Sequence, residues 1–101
     1  MTIRVVNHPN GKTEMKLEGR IDSGNAQQVQ EALLKAAQET NNLVLNFKDL
    51  DYISSAGLRA LLVLQKQMNF KGGRVTLSNV SEGVREVFEL TGFVNLLNIE
   101  A

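Results

Sequence analysis

The sequence predicts an α/β fold in which helices pack on a mixed β-sheet. Two observations lead to this prediction: strand and helix patterns alternate after an N-terminal hairpin, and one central segment is apolar on successive residues. The predicted order of elements is β-β-α-β-α-β-α, followed by an apolar tail. Because strands joined by helical crossovers run parallel, the sheet is expected to be parallel after the hairpin.

The N-terminal part is predicted to contain the hairpin and the first helix. Residues Ile3–Asn7 and Thr13–Ile21 read as paired strands, and Pro9-Asn10-Gly11 between them is a turn signal. Ser23 is expected to cap a helix that ends at Asn41-Asn42. The apolar residues of this helix recur at helical spacing: Ala26, Val29, Leu33, Ala36 and Ala37.

The central part is predicted to contain a buried strand and a buried helix. The strand Leu43–Phe47 is apolar on successive residues, which is typical of a strand covered on both faces. A polar turn is expected after it. The helix that follows, from Leu58 to Met68, has almost no polar face and is expected to be stopped by Gly72-Gly73.

The C-terminal part is predicted to contain a short strand and a third helix. Arg74–Ser78 reads as the strand, Ser81 as the N-cap of the helix, and Gly92 as its end. Phe93–Ile99 is an apolar tail, expected to be a last strand or a short helix. Four residues of the third helix are predicted to point inward: Val84, Val87, Phe88 and Leu90.

Composition narrows the class of protein. At 101 residues the chain is expected to be one domain, residues 1–101, with a single modest core. Eleven basic residues balance eleven acidic ones without any basic cluster, which argues against a nucleic-acid binder. The chain has no cysteine, and no apolar run is long enough to span a bilayer. We therefore expect a cytoplasmic protein without direct membrane insertion.

The most informative feature is a pair of serines between the central strand and the buried helix. Ser54 and Ser55 stand where the first turn of a helix leaves unpaired N–H groups and a partial positive charge. A serine at such a place is commonly a helix cap. It is also a position at which a phosphate on the hydroxyl is tolerated by the helix end. The spacing alone leaves both interpretations open.

The sequence gives little indication of nucleotide binding, hydrolysis or metal binding. There is no glycine-rich phosphate loop and no nucleophile elbow, so nucleotide binding near Asp22 and Ser55 lacks its usual signature. A hydrolase that used Ser55 would need a base, and the only histidine, His8, lies in a predicted turn. Asp22, Asp49 and Asp51 are expected in loops, either as turn residues or as a small acidic cluster that binds Mg²⁺. We expect no catalytic residue, metal or cofactor.

An ordered set of segments resembles the STAS family, the domain of bacterial anti-sigma factor antagonists and of the cytoplasmic tails of sulfate transporters. The resemblance covers essentially the whole chain. The segments that carry it are Leu17–Asp22, Leu43–Phe47, Asp49–Ile53, Ser54–Leu58, Gly72-Gly73, Val87-Phe88 and Thr91–Phe93. It implies a STAS-like fold for this chain.

The resemblance also implies a site of phosphorylation. Phosphorylated members of the family carry Asp-Ser-Ser/Thr-Gly-Leu at the turn, with the acceptor serine two places before the glycine. Here that position is Ser55, and Ser54 is the second choice. Ser54 stands where those members have aspartate, and Ala56 stands where they have a second hydroxyl.

A switch function follows from the resemblance. It implies that the unmodified protein binds a kinase-type anti-sigma factor, which phosphorylates Ser55 with ATP and is then released, and that a PP2C-type serine phosphatase removes the phosphate. The implied partner-binding residues are Asp22, Ser54, Ser55, Ala56, Gly57 and Leu58. An alternative on the same fold is an accessory subunit of a lipid or anion transport system without a phosphorylation switch.

Overall fold

The computed structural model describes residues 1–100, and its elements follow the predicted order. The strands are β1 (Thr2–Asn7), β2 (Thr13–Ile21), β3 (Asn42–Ile53) and β4 (Arg74–Ser78). The helices are α1 (Ala26–Ala37), α2 (Ser55–Phe70) and α3 (Glu82–Thr91), and a short 3-10 helix follows at Phe93–Asn95. The tail ends in a single parallel bridge between Ile99 and Leu77. The predicted α/β class is confirmed.

The four strands form one mixed sheet in the order β1-β2-β3-β4. β1 and β2 are antiparallel, with Ile3 opposite Leu17, whereas β2 is parallel to β3 and β3 is parallel to β4. The predicted hairpin at one edge and the predicted internal position of Leu43–Phe47 are therefore confirmed. Because parallel strands end at the same edge of a sheet, the segments that follow β2 and β3 lie beside each other.

One face of this sheet forms the floor of the core. Met15, Leu45 and Leu77 are aligned across β2, β3 and β4, and all three are almost completely buried. Phe47, two residues beyond Leu45 and on the same face, contacts Phe88 of α3 with 6.2 Å between ring centroids. The three helices add their apolar residues to this same cluster.

The other face of the sheet is only partly covered. Glu14, Val44 and Thr76 are aligned across the same three strands and are half-buried. The prediction that Leu43–Phe47 is covered on both faces is therefore wrong. Side chains alternate between faces along a strand, and the apolar layer supplied by the helices covers the face of Leu45.

β3 continues well past the predicted strand end. The segment expected as a polar turn extends the strand to Ile53, with Glu18 opposite Asp49 and Ile21 opposite Ile53. Asp49 and Asp51 accordingly lie on β3 and not in loops, which corrects the prediction. The extension forms because pairing with the end of β2 supplies backbone hydrogen bonds and because Leu50 and Ile53 are buried.

The helix ends follow local chemistry in some places and not in others. Ser81 caps α3 by accepting a hydrogen bond from the Val84 N–H at 3.2 Å, and Gly92 ends it in the left-handed region at φ +79°, both as predicted. The prediction that Ser23 caps α1 is wrong, because Asn25 occupies the N-cap position and no side chain caps the helix. α1 also ends at Ala37, before the predicted Asn41-Asn42 stop.

The prediction that α2 is largely buried is confirmed only for one face of the helix, since six of its sixteen residues are buried, and α3 also buries fewer residues than expected. Val84 and Phe88 of α3 lie in the core and Val87 packs at its margin. Leu90, predicted to point inward, is 80% exposed. Leu90 is two positions after Phe88, and two positions turn the helix by about 200°, so the two side chains lie on opposite sides.

Candidate functional site

The serine turn lies where the parallel strands β2 and β3 end. Ile21 and Ile53 are opposite each other at the ends of these strands. The Ser54 N–H donates to the Ile21 carbonyl oxygen at 2.8 Å, which ties the turn after β3 to the turn after β2. The structure thus brings Asp22, which follows β2, next to the Ser54-Ser55 pair, which follows β3.

Ser54 is the N-cap of α2. Its side-chain oxygen accepts a hydrogen bond from the Gly57 N–H at 3.2 Å, and its carbonyl oxygen accepts from the Leu58 N–H at 2.9 Å. The backbone of Ser54 is extended, with φ −88° and ψ 173°, as an N-cap residue requires. Its hydroxyl is therefore engaged in starting the helix.

Ser55 is the first residue of α2 and has a different environment. The side chain is exposed, and its hydroxyl makes no hydrogen bond with any residue between positions 1 and 100. Of the two adjacent hydroxyls, that of Ser54 caps the helix, and that of Ser55 has no bonded partner in the described part of the chain. The cap interpretation is confirmed for Ser54, whereas the phosphate-acceptor interpretation of Ser55 stays a prediction.

Gly57 and Leu58 hold the turn against the sheet. A Cβ atom added at Gly57 would lie 2.7 Å from both Ile21 Cγ2 and Ile53 Cγ1, so only glycine lets the helix approach the strand ends this closely. Leu58 is 3% exposed and packs in the core. Their part in partner binding stays a prediction, and their positions suit a role in shaping the turn that presents Ser55 and Ala56.

Asp22 organises the turn between β2 and α1. Its Oδ1 atom accepts hydrogen bonds from the Gly24 N–H at 2.9 Å and the Asn25 N–H at 3.1 Å. Asn25 was not predicted as a site residue, yet its Oδ1 accepts from the Asp22 N–H at 2.9 Å and its Nδ2 donates to the Arg20 carbonyl at 2.8 Å. The Asp-x-x-Asn spacing was the available signal, since both side chains favour such local bonds.

Two further features border the turn. The guanidinium of Arg20 lies 4.7 Å from the centroid of the Tyr52 ring, and both side chains are exposed near the ends of β2 and β3. On the other side of the turn, Ala56 and Arg59 of α2 line a shallow cleft of about 400 Å³ with residues from the start of α1. Neither feature is visible in the sequence, because each needs the strand register or the helix packing.

The structure separates the histidine from the serine turn. His8 Nε2 lies 3.0 Å from Glu14 Oε1, near the amino end of β2. Glu14 and Ile21 are seven positions apart on β2, a distance of about 23 Å at 3.3 Å per residue. His8 is therefore not a base for Ser55. Within residues 1–100, no three acidic or histidine side chains are arranged to hold a metal ion.

Comparison with known proteins identifies the family. The family model of the STAS domain matches residues 3–101, and the chain belongs to this family. It is 38% identical over 84 residues to BtrV of Bordetella bronchiseptica, a candidate anti-sigma factor antagonist, covering 82% of this chain and 72% of that protein. It is 30% identical over 88 residues to an anti-sigma-B factor antagonist of Bacillus subtilis, covering 87% and 81% of the two chains.

Solved structures show the same fold. The Bacillus protein SpoIIAA matches in its unphosphorylated form with a TM-score of 0.75 at 19% identity, covering 99% of this chain and 88% of that one. Its phosphorylated form matches with a TM-score of 0.74 at 20% identity, covering 99% and 92%. None of the helices within residues 1–100 has the length and apolar character needed to cross a membrane.

Proposed function

We propose that this chain is an anti-sigma factor antagonist, a binding module whose partner affinity is controlled by phosphorylation of Ser55. The observation that carries the proposal is the difference between the two serines of the turn. Ser54 caps α2, while the Ser55 hydroxyl is exposed and has no hydrogen-bond partner among residues 1–100. The names of the STAS relatives from Bordetella and Bacillus support the antagonist function. The protein itself acts as substrate and ligand, and not as an enzyme.

In the proposed cycle, the unmodified protein binds a kinase-type anti-sigma factor and thereby frees a sigma factor. The bound kinase then transfers the γ-phosphoryl group of ATP to Ser55. The Ser55 Oγ–P bond forms as the bond between the β- and γ-phosphates breaks, ADP leaves, and the hydroxyl proton passes to a base on the kinase. A PP2C-type phosphatase reverses the modification by hydrolysis, which yields serine and inorganic phosphate.

The position of Ser55 explains how one phosphate ends binding without unfolding the protein. Phosphate adds a charge of about −1.5 to −2, which the first turn of α2 tolerates because its N–H groups and dipole favour an anion. Against a partner surface, the same charge loses water and repels acidic groups. Dependence on ATP places the proposed cycle in the cytoplasm.

Mapping the phosphate tests the proposal. Recombinant kinase-type anti-sigma factors from the source genome are each incubated with the protein and ATP, and the modified residue is located by fragment-ion mass spectrometry. We expect phosphate on Ser55 with the cognate kinase and none on the Ser55→Ala variant. Phosphate confined to Ser54 contradicts the site. An unmodified protein that co-purifies with a transporter supports the accessory-subunit alternative.

A further inference from the structure

Helix α2 carries an unusual set of charges. Its sixteen residues include no aspartate or glutamate, and its charged side chains are Arg59 and Lys66. Arg59 is four residues after Ser55, so the two side chains lie on the same face of the helix, one turn apart. Both residues are exposed.

Arg59 has no ion-pair partner in the described part of the chain. The ion pairs there join Arg4 to Glu18, His8 to Glu14, and Arg85 to Glu89. Glu31 of α1 is the single acidic residue that lines the same cleft as Arg59, and it forms no ion pair with it. A free guanidinium therefore lies one helical turn from the free hydroxyl of Ser55.

We propose that Arg59 binds the phosphate of phosphorylated Ser55, and that in the unmodified protein it pairs with a carboxylate of the anti-sigma factor. The second half of this inference rests on the proposed function. An anion four residues before a cation on one helix is the favourable orientation of such a pair. The planar guanidinium also matches phosphate oxygens in a bidentate manner.

This arrangement gives phosphorylation two effects on the partner surface. The phosphate adds negative charge at position 55, and at the same time it withdraws the positive charge of Arg59 from the partner. Both changes act against a partner surface that presents carboxylates. The partner chemistry implied by α2 is therefore acidic at the point that faces Arg59.

The first test does not need the cognate kinase. Phosphoserine is installed at position 55 by genetic code expansion, and the second pKa of the phosphate, ordinarily about 6, is measured by phosphorus NMR. We expect Arg59→Gln to raise this pKa by roughly 0.3, because an adjacent cation favours the dianion. Glu31 and Asp22, the acidic groups on the neighbouring elements, are present in every variant. Their effect on the phosphate is therefore constant.

Lys66→Gln is the matched control, because it removes the other charge of α2 three helical turns from Ser55. Lys66→Gln should leave the phosphate pKa unchanged. Arg59→Lys keeps a cation at position 59, so its phosphate pKa should lie between that of the wild-type protein and that of Arg59→Gln. Equal pKa values in the Arg59→Gln and Lys66→Gln phosphoproteins overturn the phosphate-binding role, whatever the partner is.

The second test uses the unmodified protein and the anti-sigma factor identified by phosphate mapping. We expect Arg59→Gln to weaken binding by roughly fivefold in calorimetric titration, the size of a partly exposed ion pair, while Lys66→Gln has a smaller effect. If the Arg59→Gln variant binds the anti-sigma factor as tightly as the wild-type protein does, the proposed contact between Arg59 and the partner is wrong, and the proposed function still stands. If no anti-sigma factor binds the wild-type protein, the proposed function itself fails, and the NMR result still decides the phosphate contact.

Discussion

At the residue scale, the two adjacent serines have different environments that one hydrogen bond distinguishes. Ser54 accepts from the Gly57 N–H, whereas Ser55 has no bonded partner within residues 1–100. Ser54→Ala should therefore destabilise the protein by about 0.5–2 kcal/mol, and Ser55→Ala should change stability by less than about 0.5 kcal/mol. Urea unfolding of both variants measures the difference.

Ser81→Ala is the matched control for this prediction. Ser81 caps α3 by accepting an equivalent 3.2 Å hydrogen bond from the N–H three residues ahead. Ser81→Ala should therefore lower the free energy of unfolding by about as much as Ser54→Ala. A larger cost for Ser55→Ala than for Ser54→Ala would show that the cap has been assigned to the wrong serine.

A second prediction for a single residue concerns Ser55→Asp, in which a carboxylate mimics the phosphate. Ser55→Asp should keep the protein folded, since an anion in the first turn of α2 gains roughly 0.3–1 kcal/mol from the helix end. Against the partner it should lower affinity at least about tenfold, because the added carboxylate loses water and repels acidic groups at the interface, and each 1.4 kcal/mol is tenfold. Thermal melts check that the variant stays folded, and titrations with the partner measure the loss of affinity. Wild-type affinity in Ser55→Asp would leave Ser55 without a switching role.

At the element scale, α2 is held at its place by a close approach to the strand ends. A glycine-to-alanine change inside a helix ordinarily stabilises it by up to about 1 kcal/mol. Gly57→Ala should instead destabilise the protein by about 1–3 kcal/mol, because the new Cβ would lie 2.7 Å from the side chains of Ile21 and Ile53. Chemical denaturation measures the sign of the effect.

Gly83→Ala provides the comparison within the same protein. Gly83 lies in the first turn of α3, and a Cβ added there meets no atom within 4 Å. This variant should be neutral or slightly more stable. If both alanine variants stabilise the protein equally, α2 has room to move away from the sheet, and the turn that presents Ser55 is less constrained than its packing indicates.

The helix ends that depend on local chemistry are the features most readily predicted from the sequence. The Ser81 cap and the Gly92 end of α3 depend on neighbouring residues alone, and both are confirmed. The extension of β3 to Ile53 was missed because it depends on pairing with β2, which is distant in sequence. Leu90 was misplaced because an apolar side chain does not itself reveal the direction of the core.

The candidate site, too, could be predicted only in part from the sequence. The position of Ser55 follows from its spacing to Gly57 and from the family resemblance. Coordinates were needed to see the cap bond of Ser54 and the bonds between Asp22 and Asn25. They were also needed to see that Arg59 forms no ion pair with any residue in positions 1–100. These contacts depend on how the ends of β2 and β3 pack against the starts of α1 and α2, and that packing cannot be predicted from the spacing of residues in the sequence.

At the scale of the whole molecule, a polar network joins four parts of the half-covered sheet face. The Glu14 carboxylate accepts from Asn46 Nδ2 at 2.9 Å and lies 3.0 Å from His8 Nε2, and Asn79 Nδ2 donates to Asn46 Oδ1 at 3.0 Å. The network thus connects the β1–β2 turn, β2, β3 and the segment after β4. It provides polar contacts on the face that lacks the apolar helix layer.

This network predicts how global stability depends on pH. The hydrogen bond from Asn46, and next the one with His8, hold the pKa of Glu14 below its ordinary value of 4.5. A lowered pKa means that the folded protein favours the carboxylate. The resulting stability is present above the ordinary pKa and is lost as the pH falls through the lowered value. Glu14→Gln should therefore cost about 1 kcal/mol at neutral pH, the size of one net hydrogen bond, and less in acid.

Urea unfolding at neutral pH and near pH 3 measures this dependence, with Glu18→Gln as the control. Glu18 lies on the same strand and pairs with Arg4 at 3.2 Å, but its side chain is 34% exposed, compared with 17% for Glu14. An exposed ion pair contributes little, so Glu18→Gln should have the smaller effect at neutral pH. If the cost of Glu14→Gln is the same at both pH values, the carboxylate does not stabilise the network, and the half-covered face is held by the backbone ladder and its neutral hydrogen bonds.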